Sequence, residues 1–572
     1  MTTKNLWIAG LLALTPFTYA QKAPENWFNL DPTKDKVAGV STERVYQELL
    51  RGRTSQPVIV AVIDGGTDPE HEDLKDVIWT NKKEIPNNGI DDDKNGYVDD
   101  IHGWNFLGGK DGKSVNQETL EVTRLYVALK DKYANVDESK LSAADKAEYA
   151  LFKKYKEEVL KEGQEAKQNY TQYKMIYDGV KATIDALKDQ PLTKENVAKL
   201  SATGNRNIAI GKQIVPNILA QMNLEGKTDA EAKATVVGEI KDAVDYFDGR
   251  ANYNYNPNWN VRDAIVGDDP NNLTEKGYGN NDVKGPSALH GTHVAGIIGA
   301  VRNNGKGING VADNVQIMVV RVVPDGDERD KDVANGIRYA VDNGAKVINM
   351  SFGKGYSPNK ATVDAALQYA ASKDVVLVHA AGNDNADIDV TNNFPSSRSG
   401  EVISAVANPH PVMVSTMIEV GALNWKMDES LAAPFSNYGQ KYVDVFAPGM
   451  EIYSTTPDNT YKNEQGTSMA APVVAGVAAL LRSYFPNLNA VQVKSLIMRS
   501  AVKQNTQVVK PGEEDKKVAF STLSNTGGIV SAYEAVKAAL QMPPARRGGT
   551  VSPNPIPRSE KPTTGGTRRR RN

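Results

Sequence analysis

Four short apolar runs constrain the fold of this 572-residue chain more tightly than any other feature. They are "PVIVAVIDGG", "VQIMVVRVV", "AKVINMS" and "DVVLVHAAG". Each is apolar at successive positions, so as a strand it must be covered on both faces. Between them lie helical patterns: "KDVANGIRYAVDNG", closed by Gly344 as a C-cap, and "KATVDAALQYAASK". This alternation predicts an α/β fold, a doubly wound, mostly parallel sheet with helices on both faces. Chemistry in such sheets gathers at the carboxyl ends of strands. Asp64, Ser351 and Asn383 stand at or just past such ends.

The rest of the chain divides around this rhythm. Residues 1–20 read as a signal peptide: Lys4, the apolar core "LWIAGLLALTPF", and "TYA" before Gln21. An apolar N-terminal anchor is the alternative for a run this short. Export to the periplasm or the extracellular space is therefore expected. Residues 21–50 form an N-terminal extension, and 51–109 the first part of the sheet domain. From 110 to 260 the chain turns charged, Tyr-rich and free of strand runs, which predicts an inserted helical subdomain. The sheet domain resumes over 261–542. Residues 543–572, "PPARRGGTVSPNPIPRSEKPTTGGTRRRRN", have almost nothing to bury and are expected to be disordered. The Arg run reads as a solvated end, with contact to an anionic surface as the alternative.

Composition narrows the function classes. The formal net charge is −3, which argues against nucleic acid as the main partner. The absence of cysteine excludes disulfides and thiol catalysis. An exported chain without disulfides needs another staple, and bound metal is one. No stretch after the N-terminal segment is long and apolar enough to span a membrane.

One further stretch asks for chemistry. "NEQGTSMAAPVVAGVAALL" is apolar all round from Pro472 onward, so it reads as a buried helix. Its mouth nevertheless carries Ser468. Pro472 is expected in the first turn, where a missing N–H is tolerated. A serine hydroxyl needs a base to become a nucleophile, and the chain has six histidines. His290 precedes Gly291 at the start of a second apolar helix, "LHGTHVAGIIGA", and is the best placed. His293 and His379 read as packed, and His71 and His102 as loop residues; the sixth is His410. A base in turn needs an orienting carboxylate, and Asp64 ends a buried strand. An oxyanion needs converging donors: the Ser468 N–H at a helix start and the Asn383 side chain.

"VAVIDGGTDPEHEDL", "HGTHVAG", "INMSFG", "AAGND" and "GTSMAAP" together resemble the successive blocks of the subtilisin-like serine peptidases. The order Asp, His, Ser is also theirs. The resemblance covers about Thr54 to Phe106 and Val266 to Val502, and leaves out the insertion and the tail. It implies a subtilisin-like fold and a serine endopeptidase acting on protein or peptide substrates. Asp64 would orient, His290 act as base, Ser468 attack and Asn383 complete the oxyanion hole. Ser351, Phe352 and Gly353 would form the edge that pairs with an extended substrate. Ala380 to Gly382, with Ala381 and Gly382 named as contacts, would wall the pocket for the residue before the cut. The family usually has Ser or Thr after the catalytic aspartate; Gly65 stands there here.

"NGIDDDKNGYVDDIHGW" has EF-hand-like spacing. Counting from Asp91, Asp93, Asn95, Tyr97 and Asp99 fall on ligand positions, and Gly96 on the turn. The bidentate glutamate is missing, since His102 occupies the last position. Asp100 is a candidate to complete the site. A calcium ion is therefore expected, in a structural role. A second calcium site is implied by the resemblance, with Asp73 and Asn304 as ligands.

Two rival functions are weighed. An α/β-hydrolase esterase would need Gly-x-Ser-x-Gly, and Ser468 sits in Gly-Thr-Ser-Met-Ala. A catalytically silent calcium-binding module would be expected to have lost a catalytic position, and all four are filled. Only about thirty-five residues separate the expected signal cut from the first strand, too few for a pro-region of domain size. The insertion is rooted at both ends beside expected catalytic residues, so it either restricts access to the cleft or stands beside it as a peripheral decoration.

Overall fold

The computed structural model describes residues 22–222, 224–399 and 412–542. The expected signal peptide, the Arg-rich tail and His410 lie outside the described residues.

Continuous apolar runs become the middle of a nine-stranded sheet among the described residues. Its strands are β1 (Val58–Asp64), β2 (Gly103–Asn105), β3 (Val315–Arg321), β4 (Val347–Met350), β5 (Val376–Ala380), β6 (Met417–Leu423), β7 (Val445–Pro448), β8 (Val502–Lys503) and β9 (Gly528–Ile529). The spatial order is β8-β9-β7-β6-β5-β4-β1-β3-β2. All neighbours run parallel except β8 and β9. The period of two sorts side chains into two cores. Val60 and Val62 enter one core and Ala61 and Ile63 the other.

The helices divide accordingly. Those of the insertion include α1 (Glu121–Tyr133), α2 (Ala143–Leu187), α3 (Arg206–Gln221) and α4 (Asp229–Asp248). Those of the sheet domain include α5 (Leu289–Gly299), α6 (Asp330–Asp342), α7 (Lys360–Ser372) and α8 (Thr467–Tyr484). Helices α5 and α8 supply the first core, α6 and α7 the second. The segment before β1 is built into the first core through Trp27 and Phe28.

The insertion has its own small core. Val180, Ile184, Val215, Ile218, Val236 and Ile240 pack where α2, α3 and α4 meet. Its base is tied to the sheet domain by buried charges. Lys354 pairs with Glu121 and with Asp330, each at 2.8 Å. Arg262, on the returning chain, grips Asp268 and Asp332 through both edges of its guanidinium at 2.7–2.9 Å. Such pairs persist in low dielectric because every charge has a hydrogen-bonded partner. They fix where the insertion stands relative to the strand ends.

Candidate active site

Asp64 is the last residue of β1, and its carboxylate is buried. His290 is in the first turn of α5. The helix can approach the strand end because residue 291 is glycine: a Cβ there would lie 2.2 Å from Gly66 O. His290 Nδ1–H donates to Asp64 Oδ1 at 2.8 Å and Oδ2 at 3.0 Å. The carboxylate fixes the tautomer and leaves Nε2 as the basic nitrogen. Burial pulls the imidazole pKa down, but the charge and hydrogen bond of Asp64 outweigh it and hold the pKa above the ordinary value. Gly65, where a hydroxyl was expected, gives Asp64 its backbone N–H at 2.7 Å instead.

Ser468 is the second residue of α8. Pro472 is therefore the sixth, not part of the first turn as the sequence suggested. Its missing N–H leaves Ser468 O without its helical donor. The Ser351 hydroxyl fills that role at 2.8 Å. The Ser468 hydroxyl in turn donates to Ser351 O at 3.0 Å, and among the described residues it makes no bond to His290. Hydrogen bonds of this kind often tighten only when substrate is bound.

Asn383 follows β5. Its Oδ1 accepts from the Thr467 N–H at 2.8 Å and the Thr467 hydroxyl at 2.9 Å. That orientation leaves the NH₂ group for the cleft. Asn383 Nδ2 and Ser468 N converge: both lie 3.5 Å from the point where a Cβ on residue 466 would stand. Gly466 keeps that point open, and its φ of 150° suits glycine. Two N–H donors that close on one point at a helix N-terminus are chemically suited to an anion. Thr467, which sets the Asn383 amide, escaped sequence reasoning; "GTS" carried its only signal.

A cavity of about 300 Å³ opens beside Ser468 and Asn383. Phe352, Gly353 and Gly382 line it, as the sequence suggested. Ser351 does not; it sits behind Ser468. Of the residues expected on the wall, Ala380 also lines the cavity, while Ala381 is buried in the core and does not. Beneath Phe352, buried His379 donates to Glu419 Oε2 at 2.7 Å and to Phe352 O at 2.8 Å. Both ring nitrogens face acceptors, an arrangement that favours the protonated ring; the Glu419 charge outweighs burial and raises its pKa. His293 is buried with Nε2 on Lys462 O at 3.0 Å, and burial depresses it to about 3. His71, read as a loop residue, is buried, with Nε2 on Thr460 O. His102 binds Trp79 O.

The expected calcium loop is rearranged. Asp91 and Asp93 come together with Glu84, each offering a carboxylate oxygen within 4.8 Å of the others. Glu84 was missed because it precedes the motif by a turn. Asn95 and Asp99 are turned away. The Asn95 amide serves the Tyr97 N–H and Asp100, and the Asp99 carboxylate accepts from the Asn88 and Gly89 N–H groups. The Tyr97 ring packs against Trp104, Phe106 and Tyr339. Asp100 faces inward to Asn81 and Tyr339 rather than to Glu84. At the second loop, Asn304 Nδ2 donates to Asp73 Oδ1 at 2.6 Å, while Asp73 Oδ2 is buried without a hydrogen-bond partner among the described residues. Burial raises the Asp73 pKa. A buried, unpaired carboxylate oxygen fits a hard cation.

A family model described as the subtilase family matches residues 55–527. The thermophilic serine proteinase of Bacillus sp. (strain AK1) is 40% identical over 215 residues, 37% of this chain and 47% of that protein. Subtilisin DY of Bacillus licheniformis is 39% identical over 215 residues, 37% of this chain and 70% of that protein. A solved structure of a protease from Pseudoalteromonas arctica is 30% identical, with a TM-score of 0.36, over 46% of this chain and 78% of that one. The match thus spans about half the length of the first relative. More than half of the chain falls within the family model, and its α/β sheet carries the Asp, His and Ser blocks in the family's order. The chain belongs to the subtilase family of serine peptidases.

Proposed function

We propose that this chain is an exported serine endopeptidase, stabilised by calcium, that cleaves peptide bonds in proteins or peptides. The observation that carries the reading is the double hydrogen bond from His290 Nδ1 to Asp64, beside the convergent donors Asn383 Nδ2 and Ser468 N. In the proposed reaction a substrate strand pairs with the edge at Phe352–Gly353. The Ser468 hydroxyl swings from Ser351 O to His290 Nε2 and attacks the scissile carbonyl as Nε2 takes its proton. The oxyanion is held by Asn383 Nδ2 and Ser468 N. His290 then gives its proton to the leaving amine, and an acyl-Ser468 intermediate remains for hydrolysis by water.

Two loops would hold calcium: Asp73 with Asn304, and Glu84 with Asp91 and Asp93. The ion there would cross-link loops of the fold and balance buried carboxylates, outside the chemical steps. Export rests on the N-terminal segment. No helix among the described residues is long and apolar enough to cross a membrane.

The test is a serine-directed fluorophosphonate together with a casein or peptide substrate. The wild-type chain should be labelled on Ser468 and should cleave, and Ser468→Ala should do neither while keeping its melting temperature. An unlabelled, inactive wild-type chain would leave a calcium-binding module in place of an enzyme.

A further inference from the structure

The far side of the cavity beside Ser468 is closed by the insertion. Leu120 and Val122 come from the start of α1, Glu158 from α2 and Tyr255 from the returning chain. This wall is built rather than incidental. The Tyr356 hydroxyl, on the substrate-edge loop, donates to Glu158 Oε2 at 2.7 Å. Its ring meets Tyr155 of α2 edge-on at 5.3 Å. Leu120, Val122, Tyr155 and Val159 form a separate apolar cluster at this junction.

The wall is acidic. Three carboxylates line the cavity: Glu158, Asp384 and Asp327, the last from the loop after β3. Lys354 is the one cationic residue lining it among the described residues. Its ammonium is already committed to Glu121, Asp330 and the Glu328 carbonyl. Arg124, behind Asp327, is taken by Glu121 and by backbone carbonyls. Asp327 accepts only the Glu121 N–H, at 2.8 Å, among the described residues. Burial raises its pKa, an effect that the nearby charges of Arg124 and Lys354 offset only in part, and a further cation in the cavity would stabilise the charged form. Tyr255, Leu120 and Phe352 offer apolar surface to a methylene stem.

Building on the peptidase reading, we propose that the insertion completes the pocket for the residue preceding the scissile bond, and that Glu158 and Asp327 select a lysine or arginine side chain there. The substrates would then be peptides cut after basic residues, recognised by a carboxylate pair that the sheet domain alone does not provide.

The experiment uses the full chain and four peptides that differ only in the residue before the cut: Lys, Arg, Phe or Glu. The wild-type chain should cleave the Lys and Arg peptides with kcat/KM about tenfold or more above Phe and Glu. Glu158→Gln with Asp327→Asn keeps shape and can keep the bonds to Tyr356 and the Glu121 N–H. It should lower the Lys-over-Phe ratio of kcat/KM about tenfold. Glu158→Gln alone, at a half-buried position, should shift the ratio the same way and serves if the double variant fails to fold. A wild-type preference for Phe or Glu, or an unchanged ratio in the variants, overturns the proposal. A wild-type chain that takes the fluorophosphonate label but cuts all four peptides equally loses the selectivity alone. One that neither labels nor cuts loses the peptidase reading and this inference with it.

Discussion

Ser351 and Ser468 exchange two hydrogen bonds: the Ser351 hydroxyl donates to Ser468 O at 2.8 Å, and the Ser468 hydroxyl donates to Ser351 O at 3.0 Å. The first bond supplies a donor that Pro472 lacks, and the second holds the proposed nucleophile against the proposed substrate edge. Ser351→Ala should leave Ser468 O buried and unsatisfied, at a cost of about 1–3 kcal/mol. The same change should lower kcat several-fold, because the turn that aims Ser468 loosens. Denaturant titration and steady-state kinetics on the purified variant check both. Unchanged values would make the exchange a bystander.

Asn383 is set by Thr467, so its amide is aimed before substrate arrives. Asn383→Ala should lower kcat on the order of a hundred-fold or more with little change in KM. That magnitude is carried over from the equivalent loss in subtilisin, a member of the same family. Thr467→Val removes one of the two bonds to Oδ1 and should give a smaller loss in the same direction. A KM effect alone would place Asn383 in ground-state binding.

The pH profile follows from the Asp64–His290 pair. The pair holds the imidazole above its ordinary value of 6.5. A raised pKa keeps His290 protonated to higher pH, and the protonated ring is useless as a base. Activity should therefore be full well above that value and fall as pH drops through it. Measured kcat/KM should show an acid limb with its midpoint above 6.5. A profile flat down to about pH 5 would assign the base elsewhere.

Chelation tests the two acidic loops separately. A cation that binds only the folded chain adds about 2.7 kcal/mol at a hundred times its Kd, and a chelator removes that contribution. The melting temperature should fall with chelator. Asp73→Ala and the pair Asp91→Ala with Asp93→Ala should each abolish part of the fall. A chelator shift that survives in full in both variants would locate the ion outside these loops.

The parallel sheet was legible because a strand buried on both faces has to be apolar along its whole length, and "PVIVAVIDGG" says so without reference to the rest of the chain. The serine at the mouth of a buried helix was legible for a similar reason, since helix polarity is written in adjacent residues. Other features live in contacts between distant segments. Asp64 and His290 stand 226 positions apart, and Ser351 and Ser468 stand 117 apart. Local rules misplaced Pro472 in the first turn, because the start of α8 is set by Gly466 and Asn383 rather than by the proline. They put Ala381 on the pocket wall, because which face a residue shows past the end of a strand depends on what packs there. They grouped Asn95 and Asp99 with Asp91, whereas the folded loop brings Glu84 beside Asp91 and Asp93 and turns the other two toward backbone N–H groups. The acidic wall of the cleft had no sequence signal at all: Glu158 lies on a charged helix like its neighbours. In the fold it lines the cavity and pairs with Tyr356, 198 positions later, across the base of the insertion.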